Sequence, residues 1–277
     1  MKIFVTSDLH VGQSKENDAA VRSIANHVQR SASQSDVLLL GGDYGNTDEQ
    51  TRECLRLFRR FPGTVLTVPG NHDIWVDDND LSSNRLVRFR MMAEGFGMHS
   101  LHHRPVLIGD VAFVGSLGWY DYSFRDPIGI DDACYEAKCW NGYAWHDGEC
   151  AKWLSDDRAM TRIFASVLND QLRAVTAARP SSIIGLIHHV PIKDLLAWPR
   201  CFVPKDWRFL NAFLGAERFG ELFMQYGVQQ VFCGHIHSSK RVRKGKTVFQ
   251  SIGSENNRKQ VLVSENGKTR HLWITSS

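Results

Sequence analysis

The chain has 277 residues, of which 43% are hydrophobic and 23% charged, and a formal net charge of +3. This length allows one large domain or two small ones, and so small a charge does not by itself indicate a nucleic-acid or membrane partner. No run of about 18 apolar residues occurs, which excludes a transmembrane helix. Because Met1 leads directly into an apolar run, we expect no signal peptide or transit segment and a cytoplasmic location.

The six cysteines form no C-x-x-C pair, so reduced thiols are expected rather than a disulfide framework. Three of them, Cys134, Cys139 and Cys150, fall near His146 in the sequence. Their spacings match no common zinc site, so we interpret them as free thiols, with a structural zinc as the alternative.

The first part of the sequence alternates apolar runs with segments of helical pattern. The predicted elements are strands at 2–7, 36–41 and 64–69 and helices near 17–32, 48–60 and 81–94. Thr47 or Asp48 is a suitable cap for the second helix. Strand–helix repetition with short connections favours a sheet that is at least partly parallel.

Antiparallel strands appear after residue 100. A hairpin is predicted at 105–115, helices near 157–178 and 216–226, and a terminal hairpin that turns at 265–268. Antiparallel strands in such a chain indicate a mixed sheet, or two sheets.

Two aromatic-rich stretches interrupt this pattern, at about 119–155 and about 192–215. We expect one domain over 1–277, with the first stretch as an insertion or cap and the second as a loop region. Both flank motif-bearing loops, so they either form the walls of a substrate cleft or only pack against the core.

Five apolar runs end in side chains that can bind a metal ion. The motifs at these ends are Asp8-x-His10, Gly42-Asp43, Gly70-Asn71-His72-Asp73, His188-His189-x-Pro191 and Gly234-His235-x-His237. Strand ends that open into loops are where α/β proteins place their chemistry, so we expect these side chains to meet at one place.

The donors in these motifs are oxygen and nitrogen atoms, without cysteine. This set suits manganese, iron, zinc, cobalt or nickel better than a soft metal. The candidate ligands are Asp8, His10, Asp43, Asn71, His188, His235 and His237. Their number exceeds one tetrahedral zinc site and suits two ions that share a bridging carboxylate. Such a pair can clamp both oxygens of a phosphoryl displacement and lower the pKa of a shared water.

The order and spacing of these motifs, from residue 8 to residue 237, resemble those of the calcineurin-like metallophosphoesterase superfamily. The resemblance implies an α/β fold (α+β in some schemes), a four-layer αββα sandwich of two mixed β-sheets with a dimetal centre at the strand ends. It implies a first ion held by Asp8, His10 and His237, a second held by Asn71, His188 and His235, and Asp43 bridging both.

The same resemblance implies that His72 is a non-ligand histidine beside the scissile phosphate. It would stabilise charge or protonate the leaving group, and Asp73 would orient it. We prefer His188 to His189 as the ligand because the histidine of the family usually stands two or three residues before proline. His189 stays open as the alternative.

Departures from the family patterns narrow the class. Protein Ser/Thr phosphatases of the superfamily carry Gly-Asp-x-x-Asp-Arg-Gly and Gly-Asn-His-Glu, whereas this chain has Asn46 and Asp73 at two of those positions. Purple acid phosphatases carry a metal-binding tyrosine where this chain has Asn46. The resemblance therefore points to the bacterial-type phosphoesterases, which include phosphodiesterases and nucleases.

We accordingly predict an enzyme that hydrolyses a phosphate ester by a metal-bridging hydroxide, with His72 assisting departure of the alkoxide. The expected cofactors are two divalent ions, with Mn²⁺ preferred and Fe, Zn, Co or Ni as alternatives. The expected substrate is a small phosphate ester or a nucleotide, and no membrane partner is expected. The sequence says nothing firm about oligomeric state.

Two alternatives stay open. A nuclease acting on DNA or RNA is one, because two basic groups could attract a polyanion. These groups are Lys240, Arg241, Arg243, Lys244 and Lys246, and Arg85, Arg88 and Arg90. We prefer to interpret them as a solvated hairpin turn and an exposed helix face. A catalytically silent scaffold or binding module with the same fold is the other alternative.

Overall fold

Two six-stranded sheets and a two-stranded ribbon organise the computed structural model, which describes residues 1–196 and 204–275. The strands are β1 (Ile3–Thr6), β2 (Val37–Leu40), β3 (Thr64–Thr67), β4 (His99–Ser100), β5 (Val106–Ile108), β6 (Val111–Ser116), β7 (Cys139–Trp140), β8 (Tyr143–Ala144), β9 (Ser182–Ile187), β10 (Gln230–Cys233), β11 (Arg241–Lys244), β12 (Thr247–Ser251), β13 (Arg258–Glu265) and β14 (Lys268–Thr275). The helices are α1 (Lys15–Ser31), α2 (Asp48–Phe58), α3 (Ser82–Gly95), α4 (Asp132–Glu136), α5 (Asp147–Cys150), α6 (Asp157–Ala177), α7 (Lys205–Leu210) and α8 (Glu217–Gln225).

Both large sheets are mixed, as expected. The first has the order β14-β13-β1-β2-β3-β4 and the second β11-β12-β10-β9-β6-β5. In the first sheet β1 to β4 are parallel and β13 and β14 are antiparallel. In the second, β6, β9, β10 and β12 are parallel, and the edge strands β5 and β11 are antiparallel. Strands β1 and β2 are buried along their whole length, which explains their unbroken apolar runs.

The two sheets pack face to face, and helices cover both outer faces. The contact between the sheets is formed by side chains of both, among them Val5, Leu39, Phe113, Leu186 and Phe232. Helices α1, α2 and α3 cover the first sheet, through residues that include Ile24, Leu55 and Phe89. Helices α6 and α8 cover the second sheet, through residues that include Leu168 and Phe223. The predicted four-layer αββα sandwich is confirmed.

A capping box fixes the start of α2 close to the loop after β2. The Thr47 hydroxyl oxygen accepts a hydrogen bond from the Gln50 backbone N–H at 3.2 Å, and the Gln50 side-chain oxygen accepts one from the Thr47 N–H at 3.1 Å. Reciprocal bonds of this kind satisfy two N–H groups that a helix end leaves free. The loop that carries Asp43 is therefore held between a strand end and a fixed helix start.

The aromatic stretch at 119–155 packs against the core in its first part and reaches the predicted site in its later part. Its first aromatic residues are buried in the core: Trp119, Tyr120, Tyr122, Phe124 and Tyr135. Its later part, around α5, reaches the strand ends described below. Asp157, at the start of α6, connects this stretch to the helix. Its carboxylate accepts hydrogen bonds from Trp119 Nε1, Tyr122 Oη and Lys138 Nζ.

The second aromatic stretch also packs against the core in part. Leu195, Phe209 and Phe213 are buried, and Trp207 is exposed. Residues 197–203 of this stretch, which include Trp198, Cys201 and Phe202, lie outside the described residues.

The cysteines that raised the question of a zinc site are free thiols. In residues 1–196 and 204–275, no cluster of candidate metal-binding atoms includes a cysteine. This agrees with the preferred interpretation of Cys134, Cys139 and Cys150. None of the described helices is both long enough and apolar enough to cross a bilayer.

His102 makes the fold sensitive to acid. Its Nδ1 accepts a hydrogen bond from the Leu117 N–H at 3.0 Å, and burial, followed by the nearby His103, lowers its pKa to about 3. Below pH 6.5 His102 binds a proton in the unfolded chain but not in the folded chain. Its contribution should therefore lower the free energy of unfolding by about 1.4 kcal/mol per pH unit. This contribution to stability is present above pH 6.5 and is lost as the pH falls toward 3.

We expect His102→Asn, which keeps an acceptor and cannot titrate, to remove this part of the acid sensitivity. Urea unfolding of metal-free protein at pH 7 and pH 5 measures the effect as the difference between the two midpoints. The variant will be less stable than the wild type at pH 7 because ring packing is lost. Identical pH dependence in both proteins would contradict the assignment to His102.

Candidate metal centre

The predicted site residues lie at one edge of the sandwich, where five parallel strands end. Asp8, Asp43 and Asn71 follow β1, β2 and β3 of the first sheet, and His188 and His235 follow β9 and β10 of the second. Because the two sheets pack face to face, their strand ends bring these loops together. The expectation that the motifs meet at one place therefore agrees with the structure.

Three groups of candidate ligand atoms form there, each with its atoms within 4.8 Å of one another. The groups are Asp8, His10 and His237; His10, Asp43 and His72; and Asp43, His188 and His235. Asp43 occurs in two of them, and its two oxygens face different histidines. Asp43 Oδ2 lies 3.7 Å from His10 Nε2, and Asp43 Oδ1 lies 3.4 Å from His188 Nε2.

His188 belongs to one of these groups of candidate ligand atoms, whereas His189 belongs to none of them. The ring of His188 places Nδ1 2.8 Å from the Gly41 carbonyl oxygen, and its Nε2 lies 3.1 Å from Asn71 Oδ1. His189 Nδ1 instead lies 3.1 Å from the carbonyl oxygen of Leu117, and its ring packs against that of His235, with centroids 4.4 Å apart. The geometry thus favours His188 over His189 as the ligand.

Burial and the Asp43 carboxylate set the protonation of the histidines. Burial lowers the pKa of His10 and of His235 to about 3, so both rings are neutral and can bind a cation. Burial also disfavours a charged His188, but the neighbouring Asp43 reverses this effect and raises the pKa of His188 to about 9. Without a cation, a proton on His188 thus balances the Asp43 carboxylate, and a bound cation would take its place.

The residues present fit a bound metal cation. Two buried ligand atoms, Asp8 Oδ2 and His235 Nε2, have no hydrogen-bond partner in the described part of the chain. Buried polar atoms are rarely left unpaired, so such atoms indicate a missing partner. A bound cation supplies that partner, and the mixed oxygen and nitrogen donors suit a first-row transition metal.

The backbone at the site adopts a conformation that side chains rarely take. Five of the ligand candidates have positive φ angles between 46° and 71°, namely Asp8, His10, Asp43, His235 and His237. Backbones of this kind cost free energy and persist where the surrounding structure enforces them. Their concentration at five candidate ligands is typical of a functional site.

The structure corrects the expectation that Asp73 orients His72. The Oδ2 atom of Asp73 accepts hydrogen bonds from the N–H groups of Asp43 and Gly70, both at 2.7 Å, and its Oδ1 accepts one from Tyr44 at 2.9 Å. Asp73 thereby joins the loop after β2 to the loop after β3.

Asn46 and Trp75 hold His72 instead. The Nδ1 atom of His72 lies 2.8 Å from Asn46 Oδ1, and its ring lies against Trp75 with centroids 3.7 Å apart. His72 Nε2 then points toward the cluster, 3.9 Å from Asp43 Oδ2. Asn46 follows Asp43 by three residues, but no local pattern in the sequence predicts its contact with His72.

A second expectation, that Arg85 lies on an exposed basic helix face, is wrong because Arg85 is buried. Its guanidinium donates hydrogen bonds to the backbone carbonyls of Asn46, at 2.6 Å, and of Trp75. It therefore joins the two loops that hold His72. Arg88, on the same helix, pairs with Asp48 and Asp80 at 2.7 Å each.

Sequence reasoning also missed a buried lysine behind Asp8. The ammonium group of Lys259 donates hydrogen bonds to the Asp8 carbonyl oxygen at 2.9 Å and to Ser254 Oγ at 2.8 Å. Ser254 Oγ itself donates to the same carbonyl oxygen at 2.8 Å. Lys259 lies in the penultimate strand of the first sheet, far along the chain from Asp8, so no local pattern reveals the contact.

Gly70 is required for the close approach of the loops after β2 and β3. A Cβ atom at this position would lie 2.1 Å from Asp43 Oδ1 and 2.5 Å from the Asp43 backbone nitrogen. We expect Gly70→Ala to displace the Asp43 carboxylate, to destabilise the protein by about 1–3 kcal/mol and to lower its metal content.

Metal analysis and urea unfolding of the purified variant measure both effects. Gly95→Ala is the matched control, since a Cβ at Gly95 would meet no atom within 4 Å. A Gly70→Ala protein with the wild-type metal content and midpoint would contradict this account.

The sequence matches the model of the calcineurin-like phosphoesterase family over residues 1–239, so the chain belongs to that family. No curated protein matches the sequence. Family membership and the ligand clusters together define a metal-binding protein of a phosphoester-hydrolase family.

Solved structures share the fold at low sequence identity. Phosphopantetheinyl hydrolase (PptH) from Mycobacterium tuberculosis aligns with a TM-score of 0.70 and 20% identity, covering 91% of this chain and 89% of its own. A putative 5′-nucleotidase from Staphylococcus aureus aligns with a TM-score of 0.54 and 11% identity, covering 99% of this chain and 54% of its own. GAP50, the anchor in the inner membrane complex of Plasmodium, aligns with a TM-score of 0.56 and 8% identity, covering 100% and 85%. Identities this low support the fold and not a shared activity.

Proposed function

We propose that this protein hydrolyses a phosphate ester with the help of two divalent cations. The observation that carries the proposal is the position of Asp43, whose two carboxylate oxygens face His10 on one side and His188 on the other. One carboxylate between two groups of ligands is the arrangement that a bridged pair of cations needs. Family membership supports the reaction class.

Asp8, His10 and His237 would hold the first cation, Asn71, His188 and His235 would hold the second, and Asp43 would contact both. When bound, the cations would neutralise phosphate oxygens and lower the pKa of a shared water. We prefer Mn²⁺ for both cations, and Fe, Zn, Co and Ni also suit these donors.

His72 would act on the leaving group. Its ring is held by Asn46 and Trp75, so Nε2 is directed at the cluster, where the phosphate would lie. With Nδ1–H donating to Asn46, a second proton on Nε2 makes the ring an imidazolium. Such a ring stabilises negative charge on the phosphate and can pass its Nε2 proton to a departing alkoxide.

A small-molecule ester, including a nucleotide, is a better substrate proposal than a nucleic acid. The basic residues near the site are partly engaged: Lys244 pairs with Asp194 at 2.8 Å, and Lys240 donates to the Leu196 carbonyl oxygen at 2.9 Å. Arg241 and Arg243 remain exposed on β11, which keeps a nuclease as the second candidate. The names phosphopantetheinyl hydrolase and 5′-nucleotidase, given to two proteins of the same fold, agree with a small phosphate ester.

A scaffold without turnover is the third candidate. GAP50, which is described as an anchor, shares the fold. The complete set of candidate ligands, together with His72, supports an enzyme here. The cytoplasmic location and the single-domain organisation stay predictions from the sequence.

Hydrolysis of a nitrophenyl phosphate monoester and the matching diester tests the proposal. Metal-stripped protein receives Mn, Zn, Fe, Co or Ni in turn, and Asp43→Ala is the control. We expect metal-dependent release of nitrophenol, with the preferred ester deciding between a phosphatase and a phosphodiesterase. Release no faster than in the control, with every metal, would favour the scaffold.

A further inference from the structure

We propose that Asp147 is a positioning residue of the metal centre, which fixes the side-chain amide of Asn71 so that its oxygen faces the second cation. This inference rests on the two-cation site of the proposed function. Asp147 lies in the aromatic stretch at 119–155, outside the motifs that carry the candidate ligands. It is the first residue of α5, and its side chain is 1% exposed.

The carboxylate of Asp147 accepts hydrogen bonds from three side-chain N–H groups. Its Oδ1 accepts hydrogen bonds from Asn71 Nδ2 at 3.0 Å and from Trp75 Nε1 at 2.7 Å. Its Oδ2 accepts one from Trp145 Nε1 at 2.7 Å. A carboxylate only accepts hydrogen bonds, so the NH₂ group of Asn71, and not its oxygen, must face Asp147.

The orientation of the Asn71 amide matters because its two ends differ. The oxygen can bind a cation, whereas the NH₂ group cannot. With Nδ2 held by Asp147, Oδ1 lies 3.1 Å from His188 Nε2, inside the group of candidate ligands. Without this hydrogen bond, the side-chain amide of Asn71 could rotate by about 180° and place its NH₂ group toward the cation.

The charge of Asp147 also favours a cation nearby. Among residues 1–196 and 204–275 no ion pair of Asp147 with a Lys or Arg is found, and its side-chain donors, the N–H groups of Asn71, Trp75 and Trp145 and the nearby Tyr120 hydroxyl, are neutral. A buried charge without an opposite charge is costly. A cation on the far side of Asn71 would supply the opposite charge, so Asp147 should strengthen its binding.

The same carboxylate connects the aromatic stretch to the centre. Trp145, which it holds, has its ring edge against His235 at 5.7 Å between centroids, and Trp75, which it also holds, packs on His72. A single side chain thus positions a candidate ligand and both indole rings beside the site.

Asp147→Asn tests the inference, because it removes the negative charge behind Asn71 and its new amide must turn an NH₂ group toward one of three N–H donors. Asp157→Asn is the matched control: Asp157 is also buried, accepts from Trp119 Nε1 at 2.8 Å and ties down the same stretch, but it contacts no candidate ligand. Equilibrium dialysis of metal-stripped protein against Mn²⁺ measures the first and second equivalents bound. Thermal melts of the metal-free proteins measure stability.

We expect Asp147→Asn to weaken the second Mn²⁺ equivalent by about 10–100-fold and to leave the first almost unchanged. Asp157→Asn should lower the melting temperature and leave both equivalents as in the wild type. Wild-type affinity for both equivalents in Asp147→Asn, or an equal loss in the control, would overturn the inference. If Asp147→Asn does not fold, Asp147→Glu, which keeps the charge and displaces the carboxylate, should again weaken only the second equivalent, and unchanged binding would overturn it.

These outcomes differ from a failure of the proposed function. A wild-type chain that binds two Mn²⁺ ions and hydrolyses neither nitrophenyl ester contradicts the proposed reaction, while the dialysis result still decides the role of Asp147. A wild-type chain that binds none of Mn, Zn, Fe, Co and Ni overturns both.

Discussion

Replacement of Asp43 by Asn should abolish binding of at least one of the two proposed cations and lower any phosphoesterase activity by about 10²–10³-fold or more. The reason lies in the two oxygens of Asp43, which face His10 at 3.7 Å and His188 at 3.4 Å. An amide keeps one oxygen and turns an NH₂ group toward the other ligand group, so the bridge is lost. The side-chain volume barely changes, which preserves packing.

Metal content and hydrolysis rate, measured on the same Asp43→Asn preparation, check this result. Asp110→Asn is a matched control, since Asp110 is exposed in the hairpin between β5 and β6. Two cations bound at wild-type affinity in the variant would refute the bridging role.

The strand ends could be predicted because central parallel strands are buried on both faces. Such strands appear in the sequence as unbroken apolar runs, and the polar residues that follow mark the edge of the sheet. Val37–Leu40 followed by Asp43 is one example, and Gln230–Cys233 followed by His235 is another. The motif order then indicated the family, and the sandwich of two mixed sheets was predicted from the family resemblance.

Contacts between distant segments could not be predicted from local patterns. Asp147 meets Asn71 across 76 positions of the sequence, from a stretch with no regular periodicity. Arg85 was interpreted as solvated because it lies on a helix with other arginines. It is instead buried, and its guanidinium contacts the backbone carbonyls of Asn46 and Trp75 and pairs with Asp48 at 3.3 Å. Composition reveals charged side chains, but not the carbonyl groups that satisfy them.

The left-handed backbone of the ligand loops was equally hidden. Positive φ angles are expected at glycine, whereas here they occur at Asp8 and His235 among others. The hydrogen bonds that Asp73 accepts from the N–H groups of Asp43, Tyr44 and Gly70 help to hold this conformation. The sequence identified Asp73 as a site residue, while its task of joining two loops needed the structure.

The role of His72 can be decided by separating metal binding from turnover. The structure groups His72 with His10 and Asp43, so a ligand role competes with the role in leaving-group departure. We expect His72→Ala to keep both cations and to lower turnover of an alkyl phosphate ester by about 10²–10⁴-fold, the range of general acid catalysis. The loss should be much smaller for a nitrophenyl ester, whose leaving group needs no proton.

His146→Ala is the matched control. His146 is exposed, and its ring contacts the ring of Trp75 with centroids 6.3 Å apart. Loss of a cation from His72→Ala would instead make His72 a ligand, and equal losses for both esters would remove its role as a proton donor.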